Sequence, residues 1–415
     1  MPAIAPISLG VGVLGYAGVA KAHLNALKKL PYIFWPPPVR FRLLGIGGRS
    51  LHGVEDAARR YGFEYGTTEW RRLVDDARIG LFINCAPNDA HAEPCLLAAA
   101  KGKHLLCEKP LARDGQEARR MWEGVRRAGV RHLVSYNYRF VPAVRMAREM
   151  IQAGDLGEII HFRTRYTDDT LSDPHTPLTW RQEKRRAGSG AVGDIASHVL
   201  DLGRFLVGEL KGVSGLSKIV IPRRPVAPGS RETKPVEVED LYEGVLEFAN
   251  GAVGTLEVST LCPGRKNYLT FEVNGTRGSL CFNLERLNEL EVYRVEPRGR
   301  RDRGFKTILV TDGDHPYGGT WWPPGHILGW EHTFIHQLHH LMKAITGDGS
   351  VVPLAADFHD GYVNAVICDA LLQAAKTGRH LRVKVPPRKG NSNPALTGGL
   401  RRHLQVDTPM EDNEP

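Results

Sequence analysis

The sequence predicts an α/β N-terminal domain built on a parallel sheet, followed by an α+β domain with a large, mostly antiparallel sheet. Over the first third of the chain, short apolar runs alternate with amphipathic segments, a pattern that favours βαβ units. The runs are apolar almost throughout, as strands buried on both faces are. Beyond about residue 140, strand-like segments joined by tight turns follow one another instead. We therefore divide the chain into a first domain at residues 1–138, a second at 139–385, and a polar tail at 386–415 that we expect to be flexible.

The elements of both domains can be placed along the chain. The first domain has predicted strands at ISLGVGVLG, RFRLLGIGG, GLFINCAP, HLLCEKP and HLVSYNY, separated by helices at VAKAHLNALKKL, GVEDAARRYG, HAEPCLLAAAKG and DGQEARRMWEGVRRAG. The proline-rich stretch Pro31–Val39 is expected to be a loop. In the second domain, FANGAVGTLEV predicts a hairpin with an Asn-Gly turn.

Composition narrows the functional class. The 415 residues carry a net charge of +9, which brings nucleic acid into consideration, but the basic residues are scattered and no nucleic-acid-binding motif accompanies them. We therefore expect no nucleic-acid partner. The six cysteines form no C-x-x-C pair, which argues against a zinc site of that kind. Cys85 and Cys107 lie inside apolar, strand-like runs as free cysteines do, a pattern that fits a reducing compartment. With no evident signal peptide and no apolar run of about 18 residues, we expect a cytoplasmic protein with no membrane association.

The turn after the first strand, GYAGVA, has the spacing of the Rossmann dinucleotide fingerprint G-x-G-x-x-G, with Gly15 in the first position and Ala17 in the second. The glycine makes the tight turn, and the helix N-terminus that follows offers N–H groups to a pyrophosphate. An ordinary strand–helix turn is the alternative. At the end of the second strand, GIGGRS has no carboxylate for the ribose hydroxyls, whereas Arg49 suits a 2′-phosphate, unless it is only a solvated loop residue. We expect NAD or NADP as cofactor, with a preference for NADP.

Three polar residues are candidates for chemistry. Lys109 ends an apolar strand, and the carboxyl ends of parallel strands are where such sheets bind ligands. Asp194 and His198 are spaced i,i+4, so that on a helix both side chains project from one face, to which Asp201 adds a third polar group. A carboxylate at this spacing can orient an imidazole and raise its basicity. The alternative for this pair is a solvated helix face.

The chain resembles the Gfo/Idh/MocA oxidoreductases from about Gly10 to Val385. The stretches GYAGVAKAH, APNDAHAE, CEKPLA, YNYRF and GDIASHVLDL occur in the order and spacing of that family. Within it, SDPHTPLTWR, FANGAVGTLE, NYLTFEVNGTRGSLCFN and DHPYG are similar to the levoglucosan-oxidising branch. Where that branch has Gln-Asp-Trp, this chain has Asp168, Asp169 and Thr170, so an aromatic residue is missing.

The resemblance implies a catalytic set of Lys109, Asp194 and His198. His198 would take the proton from the alcohol, Lys109 would hydrogen-bond the reacting oxygen, and Asp194 would bind substrate and tune its neighbours. A cis peptide before Pro110 is common in the family. For His91 a helix-capping or packing role is the alternative, and for Trp180 and Arg181 it is domain packing. The motifs and the resemblance together predict cofactor contacts at Gly15, Ala17, Gly18, Val19, Gly48, Arg49, Ser50, Pro87, Asn88, His91, Glu108, Lys109 and Asn137. They predict substrate contacts at Lys109, Tyr138, Arg139, Trp180, Arg181, Asp194 and His198.

A histidine-rich segment, EHTFIHQLHHLM, raises the question of a metal site. His332, His336, His339 and His340 include i,i+4 pairs, but the order H-E-x-x-H is absent and Phe334 belongs to an apolar packing face. We expect no metal.

The residues, taken with the resemblance, imply an NAD(P)-dependent dehydrogenase that oxidises a secondary hydroxyl of a sugar, anhydrosugar or polyol to a ketone, with a levoglucosan-type substrate favoured. One alternative is an NAD-dependent glycoside-cleaving enzyme that recycles its cofactor. Another is a sugar sensor that has lost the chemistry, although a sensor has no need of the full catalytic set. The resemblance also implies a homodimer or homotetramer assembled through the open face of the second sheet.

Overall fold

Two large sheets organise the structure, a computed structural model that describes residues 7–37, 39–295, 301–347 and 354–385. Up to Lys384 the described residues form one compact unit. The tail predicted at residues 386–415 lies outside the described residues. The predicted fold class, an α/β Rossmann unit followed by an α+β unit, is confirmed.

The first sheet is wholly parallel. Its strands are β1 (Ile7–Leu14), β2 (Val39–Gly47), β3 (Tyr65–Thr67), β4 (Ile79–Asn84), β5 (His104–Cys107) and β6 (His132–Val134). They lie in the order β3-β2-β1-β4-β5-β6, so the chain runs one way across the sheet from β1 to β3, crosses back to β4 beside β1, and runs the other way from β4 to β6. This reversal beside β1 opens a crevice at the carboxyl ends of β1 and β4, where such folds bind ligands. The accompanying helices are α1 (Ala20–Ile33), α2 (Leu51–Tyr61), α3 (Trp70–Asp75), α4 (Ala92–Ala100), α5 (Gly115–Ala128) and α6 (Pro142–Gln152).

The prediction of a loop beginning at Pro31 was wrong, because α1 continues through Pro31 to Ile33. Leu27 and Leu30 are buried in the core. Their packing stabilises the last turn although Pro31 has no N–H to donate.

The second sheet has nine strands among the described residues and is antiparallel except where β7 meets β12. Its strands are β7 (Ile159–Thr167), β8 (Leu210–Lys218), β11 (Leu241–Phe248), β12 (Val253–Ser259), β13 (Tyr268–Gly275), β14 (Gly278–Asn283), β15 (Glu289–Arg294), β16 (Lys306–Leu309) and β17 (Leu381–Arg382). A separate hairpin pairs β9 (Arg223–Pro225) with β10 (Thr233–Pro235). The helices are α7 (Lys184–Ala187), α8 (Ser197–Leu206), α9 (His332–Ile345) and α10 (Phe358–Thr377). The predicted hairpin around Asn250 and Gly251 is the pair β11–β12.

The two faces of the second sheet differ in how the described residues cover them. Residues along β7, β13 and β14 alternate between buried and more exposed positions. The helices α6, α8 and α10 pack on the buried side. The opposite, open face carries charged side chains, among them Arg163, Arg165 and Glu257.

The histidines of α9 have packing and hydrogen-bonding roles. The helix lies against α1. His336 is fully buried, accepts a hydrogen bond from the Trp321 indole at 2.7 Å, and lies 2.9 Å from the Phe140 carbonyl. His340 is hydrogen-bonded to the Tyr317 hydroxyl at 2.9 Å. In the described part of the chain, no helix is both long and apolar enough to cross a membrane.

Candidate active site

A cavity of about 880 Å³ lies at the carboxyl edge of the first sheet and is closed on its far side by β7 and by segments that follow it. This volume is in the range of ligand pockets for small molecules and cofactors. One end is lined by the turn between β1 and α1, and the other by Lys109, Asp194 and His198.

The turn after β1 is shaped for a dinucleotide. Gly15 has φ of +101°, and a Cβ at this position would lie 2.7 Å from the Cys85 carbonyl oxygen, so only glycine fits. Ala17, Gly18 and Val19 line the cavity. Their backbone N–H groups have no hydrogen-bond acceptor among the described residues, and α1 begins directly after them. Free N–H groups at the positive end of a helix are what a pyrophosphate binds, so these residues fit an NAD-type cofactor.

The end of β2 forms the next part of the wall. Gly48 and Arg49 line the cavity, and the exposed Arg49 has no ion-pair partner in the described residues. The Tyr16 ring occupies the space above Gly48 and Gly53, where a Cβ on either residue would clash with it. Ser50, a predicted cofactor contact, does not line the cavity. Its side chain instead caps α2 by accepting from the Gly53 N–H at 3.2 Å.

The turn after β4 contributes Pro87 and Asn88 to the cavity. Asn88 also donates a hydrogen bond to the Ala187 carbonyl at 2.9 Å, which links this turn to α7. The prediction that His91 contacts the cofactor is corrected, because His91 is fully buried outside the cavity wall. Its ring nitrogens lie 2.9 Å from the Ala86 carbonyl and 3.0 Å from the Pro110 carbonyl, so it ties the turn after β4 to the loop after β5.

Lys109 meets Asp194 across the cavity. It follows β5 and the peptide to Pro110 is cis. The Lys109 ammonium donates to the Asp194 carboxylate at 2.8 Å and to the Asp194 backbone carbonyl at 2.7 Å. Burial alone would raise the pKa of Asp194, but the positive charges of Lys109 and Arg181 lower it to about 2. Asp194 is therefore ionised at neutral pH.

Asp194 lies in a π-helical turn, Val192–Ala196, that leads into α8. Such turns are rare and frequently occur at functional sites. Glu239 holds the start of this turn by accepting hydrogen bonds from the N–H groups of Gly190 and Val192, both at 2.9 Å. A Cβ on Gly190 would lie 2.0 Å from the Glu239 carbonyl oxygen, which explains the glycine at this position.

His198 follows the π turn and lines the same wall. Burial, together with the nearby Lys109 charge, lowers the pKa of His198 well below its usual value. The imidazole is therefore neutral at physiological pH and can accept a proton. Its ring packs against Tyr138 at a centroid distance of 4.6 Å and against Tyr166 at 6.0 Å.

The predicted contacts Glu108, Asn137 and Tyr138 all line the cavity. Glu108 is buried, and its carboxylate lies 2.7 Å from the His23 ring nitrogen in a hydrogen bond. Asn137 donates to the Thr333 hydroxyl at 2.8 Å.

The predicted substrate contact at Arg139 is also corrected. Arg139 is buried and forms a bidentate ion pair with Asp201, both distances being 2.6 Å. Asp201 therefore does not share the catalytic face of Asp194 and His198. The pair instead anchors α8 to the residues that follow β6, and neither member lines the cavity.

The loop after β7 brings Trp180 and Arg181 to the cavity. The Arg181 guanidinium lies 4.6 Å from the Trp180 ring centroid, and its Nε is 3.7 Å from the Asp194 carboxylate. The loop is held from behind by Arg224 of β9, whose side chain is fully buried and donates to the backbone carbonyls of Leu171, Asp173 and Thr176.

Several lining residues were missed by the sequence analysis. Tyr166 of β7 and Asn267, which directly precedes β13, lie beside His198 and Tyr138, while Trp330 lies just before α9 and Phe334 in its first turn. Tyr166 stands one residue before the end of β7, and its place at a strand end could have marked it as a candidate site residue in the sequence. No sequence pattern predicts that α9 contributes to the cavity, because its position depends on how that helix packs against α1.

Comparison with known proteins agrees with this architecture. Residues 9–137 match the model of an oxidoreductase family with an NAD-binding Rossmann fold, and residues 144–281 match the GFO/IDH/MocA C-terminal domain. Levoglucosan dehydrogenase from Pseudarthrobacter phenanthrenivorans is 42% identical over 380 residues, which cover 89% of this chain and 96% of that protein. The chain belongs to the GFO/IDH/MocA oxidoreductase family.

Related structures and enzymes extend this result. The solved structure of levoglucosan dehydrogenase in complex with NADH and levoglucosan has a TM-score of 0.86 and 42% identity, covering 91% of this chain and 99% of that one. The scyllo-inositol 2-dehydrogenase (NAD(+)) of Bacillus subtilis is 28% identical, over 66% of this chain and 71% of that protein. The resemblance and the oxidoreductase class predicted from the sequence are thereby confirmed.

Proposed function

We propose that this protein is an NAD(P)-dependent dehydrogenase that oxidises a secondary hydroxyl of a sugar, anhydrosugar or polyol to a ketone. The observation that carries the proposal is that Lys109, Asp194 and His198 share one wall of a cavity whose other end is the glycine turn at Gly15. A polar catalytic end and a dinucleotide end within one cavity are what hydride transfer from an alcohol requires.

A dinucleotide held at the Gly15 turn would supply the nicotinamide that takes the hydride from the carbon carrying the hydroxyl. The neutral imidazole of His198 accepts the hydroxyl proton, so that a C=O bond forms as the C–H and O–H bonds break. The Lys109 ammonium stabilises the negative charge that develops on the oxygen. Asp194 holds that ammonium in place and offers its second oxygen to a substrate hydroxyl.

An anhydrosugar of the levoglucosan type is the substrate we favour. The similarity to levoglucosan dehydrogenase over most of both chains supports it. The departure at Asp168, Asp169 and Thr170 falls where Thr170 bonds to the Asp168 carboxylate and Asp169 pairs with Lys266 at 2.6 Å. These three residues do not line the cavity. The departure from the levoglucosan-type pattern therefore falls outside the residues that line the cavity.

The cofactor proposal is NAD or NADP, with a preference for NADP. The sequence after β2 has no carboxylate for the ribose hydroxyls. The exposed Arg49 stands beside the cavity without an ion-pair partner in the described ranges. Both observations support a site that tolerates a 2′-phosphate.

We further propose a homodimer or homotetramer that assembles through the open face of the second sheet. The broad uncovered surface of β7, β8, β11 and β12 supports this assembly, since it includes the exposed Leu216 and Val245 beside charged residues. All six cysteines are free, which favours a cytoplasmic protein.

The test is an absorbance assay for reduced nicotinamide with the purified full chain. NAD and NADP are supplied separately with levoglucosan, inositols, hexoses and glycosides. We expect reduction with levoglucosan or a related anhydrosugar. A protein that binds dinucleotide tightly but reduces it with none of these compounds would contradict the proposal and favour internal cofactor recycling.

A further inference from the structure

Three side chains on the substrate wall form a hydrogen-bonded series. The Tyr138 hydroxyl lies 3.1 Å from the Tyr166 hydroxyl, and the Tyr166 hydroxyl donates to the Asn267 side-chain oxygen at 2.6 Å. All three residues line the cavity beside His198. Tyr138 and Tyr166 are buried, whereas Asn267 is half-buried.

The lengths of these contacts fix the direction in which protons are donated. A separation of 2.6 Å is typical of an O–H···O bond, whereas N–H···O bonds are centred near 2.9–3.0 Å. The atom of Asn267 that faces Tyr166 is therefore its carbonyl oxygen. Because a phenol has a single proton, Tyr166 has none left for Tyr138, and Tyr138 must donate to Tyr166.

We propose that Tyr138, Tyr166 and Asn267 form a polarised hydrogen-bond relay that selects substrates by the direction of their hydrogen bonds. The relay leaves Tyr138 with oxygen lone pairs only, so it accepts a hydrogen bond from the substrate. It leaves Asn267 with its NH₂ group turned outward, so it donates. The substrate is thus a polyol that carries a free hydroxyl beside the reacting one, and an ether or a fluorine at that position cannot replace it.

Tyr166 acts through its neighbours and is a positioning residue. Replacing it with phenylalanine removes both the proton given to Asn267 and the acceptor for Tyr138. The Tyr138 hydroxyl is then free to donate to the substrate, and the Asn267 side-chain amide is free to rotate and exchange the positions of its oxygen and nitrogen. The variant keeps the aromatic volume of the site but loses the direction of the relay.

The selectivity of the relay rests on the proposed sugar substrate, whereas its direction can be measured in the ligand-free protein. Neutron diffraction from crystals of the full chain exchanged into D₂O locates both phenolic deuterons. We expect the Tyr138 deuteron to point at Tyr166 and the Tyr166 deuteron to point at Asn267. Deuterons in the opposite direction overturn the proposal, whatever the enzyme oxidises.

Selectivity is measured by comparing levoglucosan with its monodeoxyfluoro derivatives, in which fluorine accepts a weak hydrogen bond but cannot donate. For wild-type protein we expect one derivative to lose about 10- to 100-fold in kcat/KM beyond the others. In Tyr166→Phe, we expect kcat/KM for that derivative to lie within about threefold of the values for the other derivatives, because Tyr138 now donates to the fluorine. The inductive effect of fluorine is the same in both proteins and cancels in the comparison.

Tyr242→Phe is the matched control, since Tyr242 is fully buried in β11 and its hydroxyl has no partner among the described residues. This variant should show the wild-type ratio of kcat/KM between the sensitive fluoro derivative and the others. If that ratio is unchanged in Tyr166→Phe, with normal affinity for NAD, the selectivity claim is overturned. If none of the sugars tested supports reduction of NAD by wild-type protein, the proposed function fails. The neutron result still decides whether the relay has the proposed direction.

Discussion

Lys109 joins the two halves of the active site, since it follows β5 and donates to Asp194 in the π turn before α8. Replacing Lys109 with alanine removes the charge that, in the proposed mechanism, stabilises the developing alkoxide. We expect kcat to fall by about 100-fold or more, the size of effect seen when such a donor is removed, with little change in the dissociation constant for NAD. Steady-state kinetics and dinucleotide fluorescence measure the two quantities.

Lys101 provides the matched control for this substitution. It is an exposed lysine that pairs with the Asp75 carboxylate at 2.6 Å, outside the cavity wall. Lys101→Ala should behave as wild type in both measurements. Normal turnover in Lys109→Ala would show that the proposed mechanism is wrong.

Arg49 is the residue on which the proposed preference for NADP depends. Replacing it with alanine removes a cation that can pair with a 2′-phosphate, whereas a 2′-hydroxyl carries no charge for it to neutralise. We expect KM for NADP to rise by about tenfold, which corresponds to one charge-assisted hydrogen bond, while KM for NAD changes little. Equal effects on both cofactors would contradict a role in discrimination.

At the scale of elements, the β9–β10 hairpin supports the substrate loop. Arg224 satisfies three loop carbonyls, and the Leu178 N–H donates to the Pro225 carbonyl at 2.8 Å. Arg224→Met leaves those carbonyls buried and unpaired, which destabilises the loop by about 1–3 kcal/mol. We expect KM for the sugar to rise about tenfold with an unchanged dissociation constant for NAD. The neighbouring exposed Arg223, replaced by methionine, is the control, and a similar effect in both variants would contradict this role.

The histidines of α9 make stability depend on pH. In the unfolded chain a histidine binds a proton below a pH of about 6.5. Burial lowers the pKa of His336 and of His340 to about 3. Between these values the unfolded state binds more protons than the folded state, so stability falls as pH decreases from about 6.5 toward 3.

Each of these histidines should contribute about 2 kcal/mol to the loss of stability between about pH 6.5 and about pH 5. Urea unfolding at several pH values measures the slope. His336→Asn should reduce the slope by the amount that corresponds to about one proton taken up on unfolding. His52→Gln, on the exposed surface of α2, should leave the slope unchanged. An unchanged slope in His336→Asn would show that His336 is not buried in its neutral form.

At the scale of the whole molecule, the proposed assembly depends on the open face of the second sheet. Arg165 and Glu257 form an exposed pair on this face with a separation of 3.5 Å. Arg165→Glu places like charges together, and we expect a shift toward monomer in light scattering. Arg59→Glu on α2 is the control, and the double exchange Arg165→Glu with Glu257→Arg should recover part of the assembly. A monomeric wild-type protein would contradict the proposed interface.

The large-scale organisation and the candidate catalytic residues could be predicted because their signals are local. Gly15 follows an apolar strand, and Asp194 and His198 stand four residues apart. His91 and Arg139 were misassigned because their roles depend on partners distant in sequence, the carbonyl of Pro110 and the carboxylate of Asp201. The contribution of α9 to the cavity could not be predicted for the same reason, since no local pattern states which helix it will meet.

Different parts of the fold position the proposed catalytic side chains and the loop that carries Trp180 and Arg181. Lys109 and His198 depend on β5 and α8, whereas Trp180 and Arg181 depend on a buried arginine in a small hairpin. Changes to that loop and its hairpin that keep Arg181, whose charge acts on Asp194, can therefore accumulate while Lys109 and His198 stay in place. For directed evolution, the segment from Leu171 to Gln182 and β9–β10 form a natural cassette, to be exchanged together when a different sugar is the target.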